Sequence, residues 1–202
     1  FEHLTKNVPR FMSEFGFQSF PSYEVIRYIN QNDSIALSSL GFKNHQKHIR
    51  GFQLIDQYMQ RDFPVPTAPE DYVYMSQLLQ SYGIAKGVEA QRRSKPYNMG
   101  TLYWQLNDCW PAVSWSSIDF MGNWKALHYK VKRSFENVLV SNSIAENNIE
   151  TFLINDGLQS EEGFLELEIR TFHNETVWSA EKQIVVAPLS AERKYRYDLR
   201  EI

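Results

Sequence analysis

The chain has 202 residues, 43% of them hydrophobic and 22% charged, with a formal net charge of -3. That is one domain of average size or two small ones, with enough apolar residues to build a core. A mildly acidic chain offers no electrostatic footprint for nucleic acid or an anionic membrane surface, no apolar run approaches the ~20 residues that span a bilayer, and the single cysteine, Cys109, excludes an internal disulfide and a multi-cysteine metal site.

The sequence opens on Phe1 without a methionine or a secretory pattern, which reads as a native start lying upstream and leaves the compartment open. Arg10 to Glu14 reads as a buried strand running into the loop Phe15-Gly16-Phe17. Pro21 and Ser22 open a short helix through about Ile29, and Ser34 to Asn44 reads as irregular loop. From Gln46 to about Arg61 the residues Ile49, Phe52, Ile55 and Met59 recur at helical steps. The proline-rich stretch 63–69 ends that helix. A long helix follows from Glu70 to about Arg93, with Tyr72, Met75, Leu79 and Tyr82 as its apolar face.

Gly100 to Leu106 reads as a second buried strand, and the aromatic, polar run Asn107 to Trp124 as a loop on a working surface. Lys125 to about Phe135 is helical, with Leu127, Tyr129, Val131 and Phe135 available to pack. Beyond it come extended runs at 138–140, 151–154, 164–172, 177–186 and 195–199. Leu165, Leu167 and Ile169 alternate with Glu166, Glu168 and Arg170, the period of a half-buried strand. Asn155-Asp156-Gly157 and His173-Asn174-Glu175 are turn chemistry. The outline is α/β followed by an antiparallel sandwich, with the boundary near Phe135 to Asn137.

Two runs carry the chemistry. The first is Phe11-Met12-Ser13-Glu14-Phe15-Gly16-Phe17-Gln18-Ser19, with a carboxylate at a strand end before a glycine turn, where a barrel enzyme places catalytic groups. By spacing alone Glu14 also reads as a solvated residue closing a strand. The second is Gly100-Thr101-Leu102-Tyr103-Trp104-Gln105-Leu106-Asn107-Asp108. It sets an indole at a strand end beside the polar groups of Gln105, Asn107 and Asp108, a pairing suited to the apolar face and hydroxyls of a sugar. Trp115 and Trp124 read equally as packing residues of core or loop and as sugar-facing indoles, and Trp178 as core.

These runs, together with Gly122-Asn123-Trp124-Lys125-Ala126-Leu127-His128-Tyr129, resemble the nucleophile strand, the final strand and the following helix of the glycoside hydrolase family 2 barrel, in the wording of its β-mannosidase branch. The resemblance implies that residues 1–136 are the last two strand–helix units of a TIM (β/α)8 barrel and residues 137–202 an immunoglobulin-like β-sandwich. It implies a fragment of a retaining exo-β-mannosidase acting on terminal non-reducing β-D-mannose. Glu14 would be the nucleophile, and Trp104, Gln105, Asn107 and Asp108 would contact the sugar. No metal or organic cofactor is implied, and the partners are a β-mannoside and the missing upstream part of the same polypeptide.

The acid/base of that family is a Glu after an Asn, upstream of the nucleophile. Asn174-Glu175 is the only such pair here and lies in a hairpin turn. The resemblance also implies a cis peptide after Trp104. Two other readings are another family 2 glycosidase, such as a β-galactosidase or β-glucuronidase, and a non-catalytic carbohydrate-binding module. The module explains the aromatics but gives no reason for Glu14 to follow a buried strand.

Overall fold

The structure, a computed structural model, describes residues 1–201; Ile202, the last residue of the expected sandwich, lies outside them. Six helices occupy the first two thirds of the described chain: α1 (Glu2–Lys6), α2 (Tyr23–Asn30), α3 (Leu40–Lys43), α4 (Gly51–Asp62), α5 (Pro69–Arg93) and α6 (Ala126–Ser134). Ser22 and Ser39 cap α2 and α3, their hydroxyls accepting from the Val25 and Phe42 amides. Helix α3 replaces part of the expected loop at 34–44, because four residues are too few to display a helical period. Helix α4 starts at Gly51 rather than Gln46. Residues 45–47 are held extended against Val113, whose amide donates to the His45 carbonyl and whose carbonyl accepts from the Lys47 amide. Ile49 therefore lies outside the helix and is 84% exposed.

The 25-residue α5 begins with Pro69 at its first position, where a missing N–H costs nothing. Its buried face differs from the expected one. Tyr82 is exposed, whereas Val73, Ser76, Leu79, Gln80, Gly83 and Gly87 are buried. On α6, Leu127 and Val131 are buried while Tyr129 and Phe135 stay exposed. Ile84 and Val88 of α5 pack on Leu127 and Val131, with Phe15, Phe17 and Tyr103 over them. Each fully buried aliphatic side chain here is worth roughly 2 kcal/mol in area removed from water. A second cluster joins Phe20, Phe42, Ile55, Met59, Val73 and Leu79.

The two runs expected as buried strands lie parallel, as the Met12–Thr101 bridge shows. The Met99 amide donates to the Arg10 carbonyl, Met12 to Gly100, Leu102 to Met12, and Trp104 to Phe15, at 2.8–3.0 Å. Neither run is buried throughout. Phe15, Phe17 and Tyr103 face the helices, and Phe11, Leu102, Trp104 and Leu106 are exposed. Each run has one neighbour on the described chain at this level, so the ladder is a single bridge rather than a sheet.

The sandwich comprises β1 (Val138–Ala145), β2 (Asn148–Asn155), β3 (Glu161–Arg170), β4 (Thr176–Val186) and β5 (Ser190–Asp198). Antiparallel order β1-β2-β5 makes one sheet and β3-β4 the other. Leu153, Leu165 and Val186 form the core between them, with Leu167 and Ile184 partly buried beside it. Trp178 is half-buried across the ring of Tyr197, with centroids 4.4 Å apart. The Asn155 side chain closes its own turn, accepting from the Gly157 amide at 2.8 Å and donating to the Gln159 carbonyl at 2.8 Å. The next residue, Asp156, receives Arg92 at 3.0 Å and also Lys95, which ties the end of α5 to the sandwich.

Candidate active site

Glu14 and Trp104 sit at the same end of the two parallel runs. The Trp104 amide donates to the carbonyl of Phe15, the neighbour of Glu14, at 2.8 Å. Two glycines permit this arrangement. A Cβ on Gly16 would strike the Trp104 carbonyl oxygen, and one on Gly87 would strike the Phe15 ring at 2.6 Å. Backbone thus approaches backbone two residues beyond Glu14, and the Phe15 ring packs against α5 at Gly87. Glu14 is exposed, Trp104 is 47% exposed, and the Trp104–Gln105 peptide is cis, as the resemblance implies.

The next residues divide. The Gln105 carboxamide donates to the Asn107 carbonyl at 2.7 Å and remains half-buried, and Asn107 is exposed. Asp108 is placed differently from the expectation of a sugar contact. Its side chain is 1% exposed, with Lys47 Nζ on Oδ1 at 2.6 Å and the Ser114 and Ser116 hydroxyls on Oδ2 at 2.6 and 2.5 Å. Both oxygens are used inside the chain, so Asp108 pins the loop and does not face the surface. Asn174-Glu175 lies in the β3–β4 turn, where Asn174 takes a left-handed conformation.

Residues outside the two motifs complete the site's support. Lys125 is fully buried, its Nζ 3.4 Å from the Ser19 and Ser114 carbonyl oxygens. Burial pushes its ammonium down to about 7; Asp108 and Asp119 act in the opposite direction and Lys47 adds to the lowering. Asp119 accepts from the amides of Ser22, Met121 and Asn123 and shapes the loop between them. Gln80 of α5 reaches across beneath both runs. Tyr103 is hydrogen-bonded to Ser117 at 2.8 Å, and Ser117 to His128 at 3.0 Å, where burial and Lys132 lower the imidazole pKa. Trp115 lies half-buried against Gly16 with His48 edge-on, and Trp124 is exposed over His128.

An apolar-periodicity reading passes over Gln80 and Lys125, since nothing but position distinguishes them from surface residues. Among the described residues no group of three or more His, Cys, Asp or Glu is placed to hold a metal ion, and no helix is long and apolar enough to cross a membrane.

Comparison with known proteins gives a consistent likeness. Residues 147–202 match the family described as the mannosidase Ig/CBM-like domain. That match starts at the β1–β2 turn, although β1 is paired with β2 along its full length. The β-mannosidase of Capra hircus is 35% identical over 144 residues, covering 64% of this chain and 16% of the relative. The probable β-mannosidase of Caenorhabditis elegans is 32% identical over 179 residues, covering 73% of this chain and 20% of the relative.

The solved β-D-mannosidase of Dictyoglomus thermophilum superposes on 99% of this chain and 25% of its own, with a TM-score of 0.91 at 30% identity. An exo-chitosanase of Amycolatopsis orientalis shares the fold, with a TM-score of 0.71 at 17% identity over 94% of this chain and 23% of its own. The chain spans about one-sixth to one-quarter of the length of these relatives. It resembles the C-terminal part of a glycoside hydrolase family 2 β-mannosidase and ends in the immunoglobulin-like sandwich of such proteins.

Proposed function

We propose that the chain is the part of a retaining exo-β-mannosidase that carries the nucleophile, Glu14, with its acid/base supplied by an upstream part of the same polypeptide. On this reading residues 1–136 are the last two strand–helix units of a (β/α)8 barrel. Such a barrel takes ~250 residues, and its active site lies at the C-terminal ends of its strands. Residues 137–202 are the sandwich that follows. The observation that carries the reading is the Trp104 amide on the Phe15 carbonyl, which sets a carboxylate and an indole side by side at one end of two parallel runs. The likeness to a β-D-mannosidase over 99% of the chain supports the substrate class.

The chemistry needs two carboxyl groups. The Glu14 carboxylate attacks the anomeric carbon of the terminal mannose as the upstream acid protonates the leaving oxygen, and a glycosyl ester forms. The same upstream group then takes a proton from water, which attacks the ester and returns Glu14 as a carboxylate. The two carboxyls of a retaining pair stand about 5–5.5 Å apart. No metal or organic cofactor enters either step. Trp104 offers its face to the sugar's C–H surface, Gln105 and Asn107 are positioned for its hydroxyls, and Asp108 holds the loop that presents them.

The test is hydrolysis of an aryl β-mannoside by the complete protein, followed by NMR of the first-formed sugar. The expected product is β-mannose, and Glu14→Gln should lower kcat on the order of 10³-fold or more. An α product, or near-normal turnover by Glu14→Gln, would overturn the reading.

A further inference from the structure

We propose that Gln80 is a positioning residue of the Glu14 site, a buried carboxamide that locks the segment following Glu14 to the segment following Trp104. The inference rests on the mannosidase reading. Gln80 lies on α5, is fully buried, and touches neither solvent nor the exposed face that holds Glu14 and Trp104. Its Nε2 donates to the Phe17 carbonyl at 2.8 Å and to the Trp115 and Ser116 carbonyls at 3.1 and 3.3 Å. Its Oε1 accepts from the Ser19 hydroxyl at 2.7 Å.

Two of these partners follow Glu14 and two belong to the loop that follows Trp104. One planar group therefore fixes their separation from below, while the Ser19 and Ser114 backbones pair directly above it at 3.0 and 3.3 Å. A carboxamide is the side chain that brings donors and an acceptor in one rigid plane. A leucine of similar volume would fill the space and leave three carbonyls without that donor.

The clamp bears on the backbone that aims Glu14. Its strand is held by the Trp104 amide on Phe15 and by the Phe15 ring on Gly87, and three residues further on by Gln80. A displacement of ~1 Å in a reacting group can cost about 10²-fold in rate.

The experiment is steady-state kinetics on an aryl β-mannoside with the complete protein. Gln80→Leu should lower kcat by roughly 10–100-fold while KM stays within about 3-fold, since orientation is lost and sugar contacts remain. Ser76→Ala is the control. Its hydroxyl lies on the same helix and accepts only from the Phe20 amide, without reaching the second segment. It should lose some melting temperature and keep its kcat. If Gln80→Leu fails to fold, Ser19→Ala removes the hydroxyl on Oε1 alone and should still lower kcat at constant KM.

Wild-type kcat in Gln80→Leu or, failing that, in Ser19→Ala would overturn the inference. So would an equal loss of kcat in Ser76→Ala. Measured beside them, full activity in Glu14→Gln would overturn the mannosidase reading itself, whereas inactive Glu14→Gln with normal Gln80→Leu would overturn only the role of Gln80.

Discussion

Lys125 is an amine buried away from water, with two carbonyl oxygens at 3.4 Å and the carboxylates of Asp108 and Asp119 acting on it as counter-charges. Burial holds its pKa at about 7, against about 10.5 in an unfolded chain. Between those values the native protein keeps a neutral amine while the unfolded chain binds a proton. Stability therefore rises with pH across that window, by up to roughly 1.4 kcal/mol per unit from this group, and is lowest below pH 7, where the full difference is lost. Lys125→Met removes this dependence. Melting temperatures from pH 6.5 to 9.5 should show the variant gaining on the wild type at the acid end, with the gap closing toward pH 9.5; parallel curves would contradict it. Gly16→Ala tests the close approach of the two runs just beyond Glu14. The added methyl meets the Trp104 carbonyl, which is backbone and cannot swing aside. Destabilisation of about 1–3 kcal/mol is expected, read by denaturant unfolding, together with a changed near-ultraviolet tryptophan signal.

At the scale of elements, α5 organises the molecule. Its middle carries the clamp on the two runs, its last turn carries Arg92 onto Asp156 of the sandwich, and Lys95, two residues beyond the helix, joins the same carboxylate. Arg92 is buried and also donates to the Ser134 and Glu136 carbonyls. Asp156→Ala should cost roughly 1.5–3 kcal/mol, the range for a hydrogen bond to a charged group. It should also speed proteolytic cleavage at 135–138, the connection between α6 and β1; unchanged cleavage there would show that Asp156 does not hold the two parts together. The existence of α5 is legible from period and proline, and the five strands of the sandwich from alternation and turn residues. The packing face of α5 is legible only in part: Leu79 is buried and Tyr72 and Met75 pack on the core as expected, but the face also includes Ser76, Gln80, Gly83 and Gly87, which are polar or lack a side chain. What makes them inward-facing is the carbonyls and rings of a segment more than fifty residues away. The start of α4 was hidden for a similar reason, since residues 45–47 are claimed by Val113. The placement of Glu14 and Trp104 at one end of two parallel runs is legible from local motifs. The burial of Asp108 was not, because Lys47, Ser114 and Ser116 come together only through tertiary structure.

For the whole molecule, Phe11, Leu102, Trp104 and Leu106 form an exposed apolar face, which on the proposed barrel reading would point into the barrel interior. On the mannosidase reading, residues 1–202 made alone should self-associate through this half and show no aryl-mannoside turnover attributable to Glu14. Proteases should cut first near residues 30–45 or 62–69, in the connections around α3 and before α5, and later in the sandwich. A monodisperse monomer in light scattering, with residues 1–135 as resistant as the sandwich, would mean that this half closes a core of its own. The most direct test of the central claim is to inactivate the complete protein with a 2-deoxy-2-fluoro-β-mannoside bearing a good leaving group and map the label by mass spectrometry. The account predicts the sugar on the tryptic peptide 11–27, esterified to Glu14 and not to Glu24; a label on any other residue, or no covalent label while turnover proceeds, would contradict it.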